Sequence, residues 1–293
     1  MLKNKMWEET GKAYSFLLPF LLPFVFFIVF PIIYGIFFSL FQQRGVRSTF
    51  IGLNNYVTLF HDASFWSSFK IPIFIILIQV PIMLVIATVL ALILDSGLIK
   101  KYNSICRLVY YLPYTIPTII AGLIWGYMYS RTMSPFSKFF EILFGKDIIF
   151  LSSEKLFWSM INIINWEWIG YNTVILFTAL LSIPPSLYEQ AMLDGANRFQ
   201  SAWYIKLPLL KPILLILFIF SIIGSFQIFN EPYILSSMTS VLPNYTTSFY
   251  VYNMAFSYGN FNYAITGSLI LGVVTFMFSF YFVKKSFIIT KEE

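Results

Sequence analysis

Ile71-Pro-Ile-Phe-Ile-Ile-Leu-Ile-Gln-Val-Pro-Ile-Met-Leu-Val-Ile-Ala-Thr-Val-Leu-Ala-Leu-Ile-Leu94 runs for 24 residues without one Asp, Glu, Lys or Arg. About 20 such residues in a helix cross a bilayer core of about 30 Å, because lipid accepts apolar side chains and a helix satisfies its own backbone polar groups. Working outward, comparable runs occupy roughly Phe16–Phe41, Leu108–Ser130, Phe157–Ile183, Ile213–Leu235 and Tyr263–Val283. That makes six expected spans. Their continuity favours helices over barrel strands, whose hydrophobicity would alternate. The expected fold is therefore all-α and integral to the membrane, with 1–293 forming a single transmembrane domain.

Composition points the same way. Hydrophobic residues make up 58% of the 293 and charged residues 11%, whereas a soluble domain carries about a quarter charged residues. One cysteine, Cys106, excludes intramolecular disulfides and thiolate zinc sites, and one histidine, His61, leaves little scope for a metal centre. The net charge of +6 is dispersed between apolar runs instead of clustering on one soluble face, which argues for topology and against nucleic acid.

With the N-terminus in the cytoplasm, one side of the membrane receives Lys3, Lys5, Lys12, Lys100, Lys101, Arg107, Arg198, Lys206, Lys211, Lys284, Lys285 and Lys291. The other receives Arg44, Arg47, Lys70, Arg131, Lys138, Lys146 and Lys155. A split of twelve to seven, with no basic residue between Ser236 and Asn262, places both termini inside. The first run follows Lys3, Lys5, Glu8, Glu9 and Lys12, is longer than a signal-peptide core and meets no clear small-residue cleavage site, so it reads as retained. Pro19, Pro23, Pro31, Pro72, Pro81, Pro113 and Pro117 predict kinked helices. Tyr110, Tyr111, Trp158 and Tyr263 at the ends of runs fit interfacial belts.

Between the fourth and fifth runs lies Ile183-Pro-Pro-Ser-Leu-Tyr-Glu-Gln-Ala-Met-Leu-Asp-Gly-Ala-Asn-Arg-Phe-Gln-Ser-Ala-Trp-Tyr-Ile-Lys-Leu-Pro-Leu-Leu-Lys-Pro212, polar enough to stay outside the bilayer and cytoplasmic by the charge argument. It predicts two short helices. Pro184 and Pro185 suit a helix start, and Glu189 sits near it, where the helix dipole favours an anion. Gly195 supplies a conformationally free break before a second segment ending near Pro208. A rigid charged elbow of this kind suits the docking of another protein.

The loop 184–212 resembles the signature of the permease subunits of binding-protein-dependent ABC importers, in their carbohydrate branch. Glu-Ala-Ala, Asp-Gly-Ala and Ile-x-Leu-Pro of that signature correspond to Glu189-Gln190-Ala191, Asp194-Gly195-Ala196 and Ile205-Lys206-Leu207-Pro208 at the same spacing. Gln190 replaces the usual alanine, and Ala202 stands where a bulky aromatic is common. The resemblance implies a type I ABC importer permease fold in which Glu189, Ala191, Asp194, Gly195, Ala196, Leu207 and Pro208 belong to coupling helices seated in an ATPase cleft. Phe199 or Trp203 would then fill the ATPase pocket. Phe50-Ile-Gly-Leu-Asn-Asn-Tyr56, Arg107 to Pro117 and Trp168-Ile-Gly170 resemble further family phrases. Gly267 with Tyr281-Phe-Val-Lys284 looks like the first of the two permeases, the maltose-F or lactose-F type, without the large extracytoplasmic insert of the maltose protein.

This resemblance implies partners: a second homologous permease forming a heterodimer, two ATPase subunits or domains that bind ATP and Mg, and an extracellular solute-binding protein. The chain itself has no Gly-x-x-x-x-Gly-Lys-Ser/Thr phosphate loop, so it is expected to have no cofactor and no catalytic residue of its own. Alternating access would open the cavity outward when the ATPases close.

A sugar needs hydrogen-bonding groups along an aromatic surface, since each hydroxyl leaving water must find a partner. Tyr114 and Thr118 are four apart, as are Ser221 and Ser225, and each pair is expected to share a helix face. In the maltose-type permease the sugar is held from the corresponding helices, which makes these four candidates by resemblance. Trp166, Trp168, Gly170 and Asn172 on the intervening span complete the candidate substrate set, while Gly122 and Gly126 read as helix-packing positions. Glu167 and Glu231 fall within or near the ends of runs, where an ionisable group is a functional hypothesis by default; both sit close to the expected outer interface, where water can reach them and a solvated or gate-lining role fits equally. The cargo reads as an oligosaccharide, with glycerol phosphate or a sugar acid as the alternative. An ion-coupled secondary transporter would show matched interrupted spans, and a membrane enzyme would show a cluster of acids and histidines; neither pattern is evident.

Overall fold

The computed structural model describes residues 14, 16–44, 47–97, 100–130, 134–145 and 148–292. Lys3, Lys5, Lys12, Arg131 and Lys146, which carry part of the orientation reading, lie outside the described residues. Four helices are long and apolar enough to cross a membrane: α1 (Phe16–Phe38), α3 (Ala63–Asp95), the helical stretch Arg198–Leu235, and the part Phe261–Lys285 of the last helix. Two bent pairs bring the number to six if each pair is one span: α4 (Asn103–Thr115) with α5 (Thr118–Tyr129), and α7 (Leu156–Leu181) with α8 (Pro185–Leu193).

The prolines act as their chemistry requires. Within α1 and α3, and again ahead of the fifth expected span, a π-helical turn occurs at Val25–Val29, Ile75–Gln79 and Ala202–Lys206. Pro31, Pro81 and Pro208 each follow two residues later. A proline ring clashes with the carbonyl four residues back, which here is that of Phe27, Leu77 or Tyr204, and the wider turn moves that carbonyl aside.

The third expected run folds as two helices and not as one kinked helix. α4 and α5 meet at 94°, because Ile116 (φ −80°, ψ 127°) and Pro117 (φ −54°, ψ 130°) are extended. A proline disfavours helical geometry at the residue before it, and Ile116 obeys. The halves hold 13 and 12 residues, too few for either to cross alone.

The chain divides into two compact units. One contains residues up to Ala63 together with Val251–Gly272. In it α1 leads into the one departure from an all-α chain among the described residues, an antiparallel hairpin of β1 (Phe41–Arg44) and β2 (Arg47–Phe50) with Phe41 opposite Phe50. Gly52 turns the chain at φ +58° into α2 (Asn54–Phe60). The phrase ending at Tyr56 then closes the end of α1: Asn55 Nδ2 donates to the carbonyls of Ser39 (2.7 Å) and Phe41 (2.8 Å), and the Tyr56 and Ser39 hydroxyls bond at 2.7 Å. Asn262 Nδ2 donates to the Phe38 carbonyl at 2.8 Å. Carbonyls at a helix end lack partners within the helix, and these amides supply them.

The other unit contains Ser64–Tyr250 with Val273–Glu293. After α5 come α6 (Pro135–Phe144), capped by Ser134 accepting from the Ser137 amide, then α7 and α8. They are followed by α9 (Arg198–Ser201), α10 (Leu207–Phe226), α11 (Asn230–Leu235) and α12 (Thr247–Tyr252), and α13 (Phe261–Glu292) closes the chain. The main core of this unit joins Ala87, Ala91 and Leu94 of α3 to Leu176, Phe177 and Leu180 of α7 and Leu210 and Leu217 of α10. The fully buried alanines let the α3 and α7 backbones approach closely, the usual device where lipid removes any hydrophobic drive between helices.

Candidate functional site

The elbow after α7 is built from local rules. Pro184 is extended (φ −58°, ψ 129°) and Pro185 opens α8. α8 ends in a Schellman motif: Gly195 at φ +81° donates to Met192 (3.1 Å) and Ala196 donates to Ala191 (2.9 Å). Asn197 at once starts α9 through a reciprocal capping box, with both bonds to Gln200 at 2.8 Å. The Asp194-Gly195-Ala196 phrase is thus a helix stop joined directly to a helix start, which makes the elbow stiff.

Its surface is apolar where solvent would demand polarity. Leu193 is 88% exposed and Phe199 75%, and Met192, Trp203 and Tyr204 are exposed as well. Phe199 and Trp203 stack with ring centres 6.3 Å apart. Glu189, Asp194 and Gly195 are exposed on the same elbow, Ala191, Ala196 and Leu207 are half-buried, and Pro208 opens α10. Met192, Leu193 and Tyr204 do not stand out in the sequence, since apolar residues are the rule throughout this chain.

Among the expected substrate residues, Tyr114 and Trp168 come together. Their rings lie 5.3 Å apart, and Tyr171, absent from the sequence candidates although three positions from Trp168, stacks on Tyr114 at 4.4 Å. Thr118 does not share a face with Tyr114, because the break at Pro117 puts them on different helices. Gly170 is buried against the backbone carbonyl of Tyr110, and Asn172 is buried with its Nδ2 on the Trp168 carbonyl (2.8 Å) and facing the Met83 sulfur (3.5 Å). Ser221 and Ser225 do share a face on α10, where each hydroxyl donates to the carbonyl four residues back, leaving it to act as an acceptor. Trp166 packs edge-on against Trp125. Trp125 also lines an aromatic cavity of about 630 Å³ with Tyr129, Phe136, Phe150 and Trp158.

Glu167 and Glu231 depart from expectation. They are 3% and 6% exposed, so water does not reach them as their position near span ends predicts. The reason is tertiary: α11 packs against α5, with Ile234 against Gly122 and Met238 and Leu235 against Gly126. Both Glu167 carboxylate oxygens are buried and meet no hydrogen-bond partner among the described residues.

With several helices long and apolar enough to cross a membrane and an exposed apolar elbow after α7, the chain is by architecture a multi-pass membrane protein. The family model for the inner membrane component of binding-protein-dependent transport systems matches residues 84–288, and the chain belongs to that family. It is similar to the lactose transport system permease protein LacF of Rhizobium radiobacter, at 31% identity over 82% of each chain. It is also similar to the trehalose/maltose transport system permease protein MalF of Thermococcus litoralis (30%; 64% of this chain, 63% of the relative). A third relative is the arabinooligosaccharides transport system permease protein AraP of Bacillus subtilis (27%; 81% and 76%). A chain from the crystal structure of a bacterial ABC transporter for import of alginate has the same fold, with a TM-score of 0.85 at 23% identity over 98% of this chain and 99% of that one. The chain is therefore a multi-pass membrane component of a transport system and not an enzyme.

Proposed function

We propose that this chain is the first-type permease of a carbohydrate ABC importer, pairs with a second permease to line an alternating-access path, and carries an oligosaccharide. The elbow carries the reading: its capped geometry and the exposed Phe199–Trp203 stack supply what an ATPase cleft would grip. On this reading α8 and α9 face the cytoplasm, both termini lie on that side, and ATP and Mg are bound by the ATPase partners. A solute-binding protein delivers the sugar from outside. Relatives named for lactose, trehalose/maltose and arabinooligosaccharides support the cargo class. Within the chain, the Tyr114–Tyr171–Trp168 cluster offers the aromatic faces a sugar ring stacks on. Thr118, Trp166, Ser221 and Ser225 are proposed to supply further contacts, with Gly170 and Asn172 shaping the same wall.

The test is reconstitution with the second permease, the ATPase and the binding protein, followed by uptake of radiolabelled lactose, maltose and arabinotriose with and without ATP. ATP-dependent uptake of at least one, lost in Phe199→Asp together with co-purification of the ATPase, is the expected result. Retention of the ATPase by Phe199→Asp and Trp203→Asp alike would remove the elbow from that contact.

A further inference from the structure

Lys206, Asp95 and Tyr188 converge from three elements. Lys206 ends the π-helical turn before α10, Asp95 is the last residue of α3, and Tyr188 is on α8. The Lys206 ammonium is paired with the Asp95 carboxylate across 111 positions of sequence, with 13% and 14% of the two side chains exposed. Lys206 Nζ also stands 5.0 Å from the centre of the Tyr188 ring. The Tyr188 hydroxyl is buried and meets no hydrogen-bond partner among the described residues.

Two features make this more than packing. A carboxylate at the C-terminal end of a helix faces unpaired carbonyls and the negative pole of the dipole, so Asp95 is badly placed for α3 alone and needs a cation. The apolar core holds α3, α7 and α10 together through Ala87, Ala91, Leu176, Leu180, Leu210 and Leu217. By contrast α8, α9 and the π-turn contain no fully buried residue. The elbow is thus weakly anchored by apolar contacts, and a shielded charge contact is what ties it to the end of α3. With little solvent screening and an aromatic face under the cation, that contact is directional in a way apolar packing is not.

We propose that Asp95, Lys206 and Tyr188 form a linkage that transmits displacement of the elbow to α3, so that movement imposed on α8 and α9 reorients a span they do not continue. This linkage rests on the coupling role proposed above and adds a route within the chain. The three are positioning residues, acting through α3 and touching no substrate.

The experiment uses the full complex in liposomes, measuring uptake of whichever of lactose, maltose and arabinotriose the wild type carries, alongside ATP hydrolysis. Asp95→Asn, Lys206→Met and Tyr188→Leu should each lower sugar carried per ATP hydrolysed by about five-fold or more, the range of a genuine coupling energy, while the ATPase co-purifies as in wild type. Tyr188→Phe, which keeps the ring, and the exchange Asp95→Lys with Lys206→Asp should recover part of the ratio. If the ratio in all three single variants stays within about two-fold of wild type, or if the exchange is no better than the singles, the linkage is refuted. Loss of ATPase binding in the singles would refute it too, by placing these residues in the docking contact. A wild-type complex that carries no sugar and binds no ATPase would instead fail the proposed function itself.

Discussion

Gly170 of α7 lies so close to the backbone carbonyl of Tyr110 in α4 that a Cβ there would run into the carbonyl oxygen. The contact sets the spacing of the two helices that bring Trp168 and Tyr171 to Tyr114. Gly170→Ala should therefore force α4 and α7 apart, at a cost of about 1–3 kcal/mol as for other overpacked sites. Thermal unfolding of the purified protein in detergent checks this. A melting temperature equal to wild type would mean that the backbones are not held that closely.

At Gly195 the requirement is conformational, since a Cβ would meet nothing within 4 Å but φ is +81°. Gly195→Val should strain the elbow by about 1–2 kcal/mol and uncouple ATP hydrolysis from uptake, with membrane insertion and expression unchanged. Gly195→Asn, which tolerates positive φ, should be milder. Normal sugar uptake by Gly195→Val would count against the elbow as the mechanical contact.

Replacing Tyr114 by alanine removes the ring that contacts both Tyr171 and Trp168, and the expected result is weaker uptake by about ten-fold, the worth of one aromatic contact. Tyr114→Phe should keep most of it. Ser225→Ala should alter apparent affinity for the sugar without affecting ATPase assembly. Unchanged uptake kinetics in both Tyr114→Ala and Ser225→Ala would move the sugar path elsewhere.

Asn55 is buried and donates from one amide nitrogen to the carbonyl of Ser39, just past α1, and to that of Phe41 in β1. Asn55→Ala should cost about 1–3 kcal/mol by leaving them unpaired. Asn55→Asp should cost more, because it points an anion at both. Limited proteolysis of the hairpin region reads the loss, and equal protection of wild type and both variants would show that these bonds carry no stability.

Much of the fold is legible from residues alone where the rule is local. The apolar runs, the two helices of the elbow and the stop at Gly195 follow from span length, proline chemistry and the need for positive φ. Prolines likewise mark the kinks, although the π-turns that relieve them are visible only in the folded chain. Pro117 predicts a kink, yet it breaks the run at 94° because Ile116 takes the extended form that proline imposes on its neighbour. That difference separates Thr118 from Tyr114 and ends their expected common face.

Residue order alone settles the solvent and the local grammar of this chain: long apolar runs with at most one charged residue must lie in lipid, and Asp194-Gly195-Ala196-Asn197 must end one helix and start the next. Helix packing alone sets the burial of Glu167 and Glu231, the stacking of Tyr171 on Tyr114 and the pairing of Lys206 with Asp95. The reason is range. Capping and proline sterics act within about one helical turn and transfer into lipid depends on the run itself, whereas that burial and those two contacts depend on residues that the packing of whole helices brings side by side.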